Sequence, residues 1–99
     1  MPKLRKLINI SGNYMNKQLS NFNVTNKESF VAFLHLLSQD FVNNSNDWEN
    51  KTIDTFLEAL GRYASDIQGY YDNTGQKVNA EEPSWQKFAD IFKGATMYE

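Results

Sequence analysis

A chain of 99 residues and 11.5 kDa is enough for one domain. At that size about 65% of the unfolded surface is buried on folding, which allows a single modest core. Hydrophobic residues make up 40% and aromatics 14%, a load that favours a packed globule over a disordered chain. With no cysteine and a single histidine, His35, the sequence excludes disulfides, zinc ribbons, thiol catalysis and a histidine-rich metal site.

The net charge of −2 hides an asymmetry. Residues 1–24 carry Lys3, Arg5, Lys6 and Lys17 and no acid, whereas residues 25–99 carry six bases against twelve acids. So acidic a body repels nucleic acid, and the few bases of the head do not reverse that. No apolar run approaches the roughly 18 residues of a membrane span. Leu7-Ile8-Asn9-Ile10 is also too short and too broken for the core of a secretion signal. These features predict a soluble, cytoplasmic protein. The glycosylation-type tripeptides at Asn9, Asn23, Asn43 and Asn50 then follow from an asparagine-rich composition and carry no meaning.

Residues 1–24 read as a basic, weakly patterned arm. Leu4, Leu7, Ile8 and Ile10 suit a short strand or helical turn, broken by Ser11-Gly12-Asn13, and Asn16 to Asn23 is loop-like. The codon of Gly12 places a purine-rich pair a few bases before that of Met15, as a ribosome-binding site would, and translation is expected to start there. The remainder, 25–99, reads as a helical domain. Thr25 and Glu28 form a capping box that opens a first helix with the stripe Phe30, Phe33, Leu34, Leu37 and Phe41, widened by Val31 and Val42. Asn50 or Thr52 caps a second helix, striped by Ile53, Phe56, Leu57, Leu60, Tyr63, Ala64 and Ile67, with Gly69 closing it. Glu58 and Arg62 form an i,i+4 pair on its outer face. After the turn Asp72 to Gly75 and a polar connector, Ser84 caps a third helix striped by Trp85, Phe88, Ala89 and Phe92, and Gly94 weakens its end. The expected fold is mainly α: a bundle of about three amphipathic helices around one core of Phe33, Leu37, Phe56, Leu60, Ile67, Phe88 and Phe92. A short strand from the head, or from Val78 with the tail, is compatible with it.

From Glu28 to Glu99 the chain resembles a family of small bacterial domains of unknown function. The resemblance rests on Ser29 to Leu34, Asp47-Trp48-Glu49-Asn50-Lys51-Thr52, Phe56 to Leu60, Gly69-Tyr70-Tyr71, Pro83-Ser84-Trp85 and the ending Met97-Tyr98-Glu99. It covers about three quarters of the chain, and the Trp-Glu-Asn-x-Thr segment with the Tyr-Glu ending is specific in combination. Members begin near Met15, so residues 1–14 depart from the pattern. The resemblance implies no activity or cofactor. By analogy of size and charge alone it looks like the immunity and inhibitor proteins that guard against toxins.

Catalytic readings fare poorly against plain structural ones. Ser84-Trp85-Gln86-Lys87 matches the S-x-x-K of serine acyl enzymes, but a serine after proline is an N-cap first. His35 sits beside the stripe of its helix with no evident orienting partner. Asp47, Glu49 and Asp54 could take a divalent cation, yet lack the glycine and closing glutamate of a calcium loop and suit a helix N-terminus. The most function-like patch is Tyr70, Tyr71 and Asp72 with Glu81 and Glu82: aromatic anchors with an acidic rim, fitted to a basic partner. A second-choice surface is Asp47, Trp48 and Glu49. The expectation is therefore a non-enzymatic, acidic, protein-binding domain of immunity or inhibitor type, needing no cofactor and no metal. It would occlude a basic protein, not nucleic acid or membrane. The alternative is a small enzyme or ligand-binding domain with a carboxylate site at Asp47, Glu49 and Asp54.

Overall fold

The computed structural model describes residues 17–99. The expected strand or turn of Leu4, Leu7, Ile8 and Ile10, and the expected start at Met15, lie outside the described residues. Among the described residues four helices follow in order: α1 (Lys17–Ser20), α2 (Lys27–Asn44), α3 (Ile53–Asn73) and α4 (Trp85–Ala95), with a 3-10 turn at Ser45–Asp47. No strand forms among the described residues. Val78, a candidate for one, instead packs half-buried against the core, and its carbonyl accepts a hydrogen bond from Gln68 Nε2 at 2.8 Å.

Each long helix is opened by a side chain. The first box lies one residue later than expected: Asn26, not Thr25, accepts from the Ser29 amide at 2.8 Å, and Ser29 Oγ accepts from the Asn26 amide in return. Thr52 caps α3 with Thr55 as its reciprocal partner, and Ser84 caps α4 by accepting from the Lys87 amide. The end of α3 is later than expected as well. The helix runs through Gly69 to Asn73, and the chain reverses at Gly75, whose φ of 72° suits glycine. Burial explains the extension. Tyr71, beyond Gly69, is 1% exposed, so stopping the helix early would expose a core tyrosine.

α4 packs against both α3 and α2, and most extensively against α3, while α2 and α3 touch each other little. The single expected core is accordingly two clusters. One holds Ala59, Tyr63, Ile67 and Tyr71 of α3 with Ala95, Met97 and Tyr98. The other holds Phe33 and Leu37 of α2 with Leu19, Val24, Trp48 and Ala89. Phe56 packs against both and joins them. Leu19 and Val24, each 1% exposed, bring part of the expected arm into the core. Of the expected core, Phe33, Leu37 and Ile67 are buried, Phe56, Leu60 and Phe92 are half-buried, and Phe88 is 40% exposed because Ala89 and Gly94 face inward in α4.

Gly94 does more than end a helix. A Cβ there would overlap the ring of Tyr63, so its bare backbone lets α4 close on α3.

Candidate functional site

Tyr70 and Tyr71 part company in the structure. Tyr71 is a core residue: its ring is buried and its hydroxyl donates to Asp90 Oδ2 at 2.8 Å, so it cannot serve as a surface anchor. Burial first, then the hydrogen bond to Asp90, pushes its phenol well above the usual value. Tyr70 is a half-buried lid against Tyr63 and Tyr71, with ring centroids 6.3 and 5.8 Å away. Asp72 is exposed and accepts from Gln68 Nε2 at 3.1 Å. Gln68 also accepts from the Ala80 amide at 2.8 Å, stapling the connector to α3. Glu81 and Glu82 are exposed in the turn before α4, where their amides are held by Asn79. Lys87 Nζ donates to the Glu82 carbonyl, and the Ser84 hydroxyl accepts from the Lys87 amide, so this serine is placed as a cap. His35 is exposed.

The Trp-Glu-Asn segment and the Tyr-Glu ending are two halves of one knot. Trp48 Nε1 donates to Asp40 Oδ2 at 2.8 Å, and Asn44 donates to the other oxygen at 3.0 Å. This pairing satisfies the buried Asp40. The amides of Glu49 and Asn50 donate to the Thr96 carbonyl at 2.9 and 3.0 Å. The side chain of Asn50 donates to the carbonyls of Ala95 and Tyr98 at 2.8 and 2.7 Å, and Tyr98 donates its hydroxyl to Asp66. Asn50 thus satisfies carbonyls at the end of α4 that the helix leaves open, a job no sequence pattern announces.

Asp47, Glu49 and Asp54 are all exposed. Asp54 accepts from Thr52 Oγ1 at 2.5 Å, and that bond holds its carboxyl below the usual range. No group of three or more His, Asp or Glu side chains among the described residues is placed to hold a metal ion.

Between the knot and α3 lies an open groove of about 260 Å³, lined by Phe41, Trp48, Asn50, Lys51, Thr52, Ile53 and Phe56. Trp48 and Phe56 stack with centroids 5.9 Å apart, and Phe41 meets Trp48 edge-on at 5.1 Å. Of the lining, Phe41 and Ile53 are 37% and 73% exposed, and their helices carry two more exposed apolar side chains, Val42 at 77% and Leu57 at 58%; sequence periodicity assigns all four to the core. Their neighbours in sequence are acids, in Asp47-Trp48-Glu49, Ile53-Asp54 and Leu57-Glu58. The signal available in the sequence was width. The stripe expected for α3 spans more of the helix circumference than one buried face needs. A second aromatic shelf, Trp85 and Phe88 over Phe30, lies at the start of α4.

The chain belongs to DUF7660, a family of unknown function, whose model matches residues 26–99. No curated protein and no solved structure matches it. All the motif segments that carry the resemblance, and the whole knot, fall inside the matched region. Among the described residues no helix is long and apolar enough to cross a membrane.

Proposed function

We propose that the protein acts without catalysis, by binding another protein, and that it is an inhibitor- or immunity-type domain that occludes a basic partner. The observation that carries this reading is the groove at Trp48. The exposed Phe41 and Ile53 flank the buried Trp48 and half-buried Phe56, with Lys51 also in the lining, and acids stand next to these residues along the chain. Rigid apolar anchors within a polar rim are the usual anatomy of a protein interface. The acids steer a basic partner, and the apolar walls hold it once docked. Tyr71 lies in the core, so the proposed surface is the second choice, Asp47-Trp48-Glu49, with the exposed Asp47, Glu49, Ile53 and Leu57 as its contact residues and the buried Trp48 beneath them.

A photo-crosslinking amino acid at position 53 or 57, in the cells that make the protein, tests this reading. A discrete adduct with a basic protein is expected there, and none from position 35 on the outer face of α2. Adducts of equal yield from all three positions, or none from the groove, would overturn it.

A further inference from the structure

Asp40 is the only charged side chain buried among the described residues, at 4% exposure. Its oxygens accept from the indole of Trp48 and the carboxamide of Asn44, both neutral donors. A carboxylate offers about four acceptor sites, so these bonds leave room on both oxygens. They also leave its charge unmatched. Among the described residues no Lys, Arg or His forms an ion pair with it. Charges held away from water are costly unless paired.

The carboxylate borders a small cavity between α1 and α2. About 50 Å³ in volume, the cavity is lined by Gln18, Leu19, Leu36, Gln39, Asp40 and Asn43. Asp40 supplies the only charge in this lining. Gln39 and Asn43 form no hydrogen bond among the described residues, so their carboxamide oxygens are available to a ligand.

Size and chemistry narrow the occupant. At about 10–15 Å³ for each water-sized group, the cavity takes about three to five heavy atoms. The carboxylate repels an anion. A divalent metal needs more oxyanions than the single Asp40 provides. A guanidinium binds best as a fork across both oxygens of a carboxylate, and here each oxygen already takes a donor. A primary ammonium fits: a compact charge with three donors, on a methylene stem that Leu19 and Leu36 cover.

We infer that this cavity is a site for a primary alkylammonium group, carried by a free amine or by a lysine side chain, with Asp40 as counter-ion and Gln39 and Asn43 as acceptors. It shares no lining residue with the groove at Trp48, so the inference does not rest on the protein-binding reading.

The test follows the indole N–H resonances of the isotope-labelled full chain at constant ionic strength. Trp48 donates to Asp40 and reports on the cavity, while Trp85, outside its lining, is the internal control. The probes are n-butylammonium, tetramethylammonium, n-butylguanidinium and potassium. The first two share formula and charge, but only n-butylammonium has N–H donors. It should shift the Trp48 resonance saturably, leave that of Trp85 in place, and bind at least ten-fold more tightly than the other three. Gln39→Ala with Asn43→Ala, both exposed, should weaken it at least five-fold at an unchanged melting temperature. Asp40→Asn should abolish it, and the double substitution decides the matter where Asp40→Asn fails to fold. A tripeptide with a central lysine, blocked at both ends, separates the sources. Binding as tight as that of n-butylammonium assigns the site to a lysine side chain, and binding ten-fold weaker assigns it to a free amine. No saturable shift with n-butylammonium, equal binding of any of the other three cations, or indifference to the double substitution would each overturn the inference and leave a cavity that holds water only.

Discussion

Asn50 shows how much one side chain can organise. Its amide reaches two carbonyls of the C-terminal segment, and its own backbone amide reaches a third. Asn50→Ala removes the donor that the Ala95 and Tyr98 carbonyls accept from, and losing a buried hydrogen bond of this kind costs about 1–3 kcal/mol. Denaturant unfolding should show a loss of about 2 kcal/mol or more, and a loss near zero would mean that water replaces the amide. The tyrosines make a prediction in pH. Burial, the largest cause in each case, raises the phenols of Tyr63, Tyr70 and Tyr71, and burial followed by the bond to Asp66 pushes Tyr98 up to about 12. A group with a raised folded pKa stabilises the fold fully below its unfolded value, here 10.0, and that stabilisation fades as pH rises through the folded value. The protein should therefore hold its melting temperature up to about pH 10 and lose it above, toward pH 12. Tyrosinate absorbance should rise together with the loss of helical circular dichroism. Reversible titration of these tyrosines near 10 in a folded protein would contradict their burial.

At the scale of elements, α3 and α4 meet through a glycine. Alanine is the better helix former by about 1 kcal/mol, and Gly61→Ala, in open space, should gain about that much. Gly94→Ala should do the reverse. Its new methyl overlaps the buried Tyr63 ring, and overpacking of this kind costs about 1–3 kcal/mol. Thermal melts of the two variants should move in opposite directions. The three long helices were legible in the sequence because their caps and stripes are local: Ser84, Thr52 and the run from Phe30 to Leu37 all act within a turn or two. What was illegible is non-local. Gly69 looks like a terminator until Tyr71 is seen to need the core. Leu19 and Val24 sit in loop-like sequence, and only the fold shows them covered by α2 and α4, with Gln86 accepting from the Val24 amide at 2.8 Å. Phe41, Ile53 and Leu57 keep helical spacing, yet spacing alone cannot say which edge of a wide stripe is left uncovered.

At the scale of the whole molecule, an acidic body carries two aromatic surfaces joined through its interior. Ring contacts run from Phe41 through Trp48, Phe56, Phe92 and Phe30 to Trp85 and Phe88, with neighbouring centroids 5.1–6.2 Å apart. The same residues therefore hold α2, α3 and α4 together and reach solvent at both ends. The acidic composition was legible in the sequence, and the proposal of a basic partner rests on it. Which of Tyr70 and Tyr71 is buried was not legible, because a buried and a half-buried tyrosine look alike in sequence.

The central claim is that Ile53 and Leu57 serve binding rather than folding. The most direct test measures Ile53→Ser with Leu57→Ser in two ways, by thermal melting and by photo-adduct yield from a crosslinker at position 42. Polar replacement of exposed residues away from other features usually changes stability by about 0.5 kcal/mol or less. The melting temperature should therefore stay within a few degrees of the parent, roughly 4 °C in a domain of this size, while the adduct falls at least ten-fold. A large drop in melting temperature with the adduct retained would show that the two side chains hold the fold and that the working surface lies elsewhere.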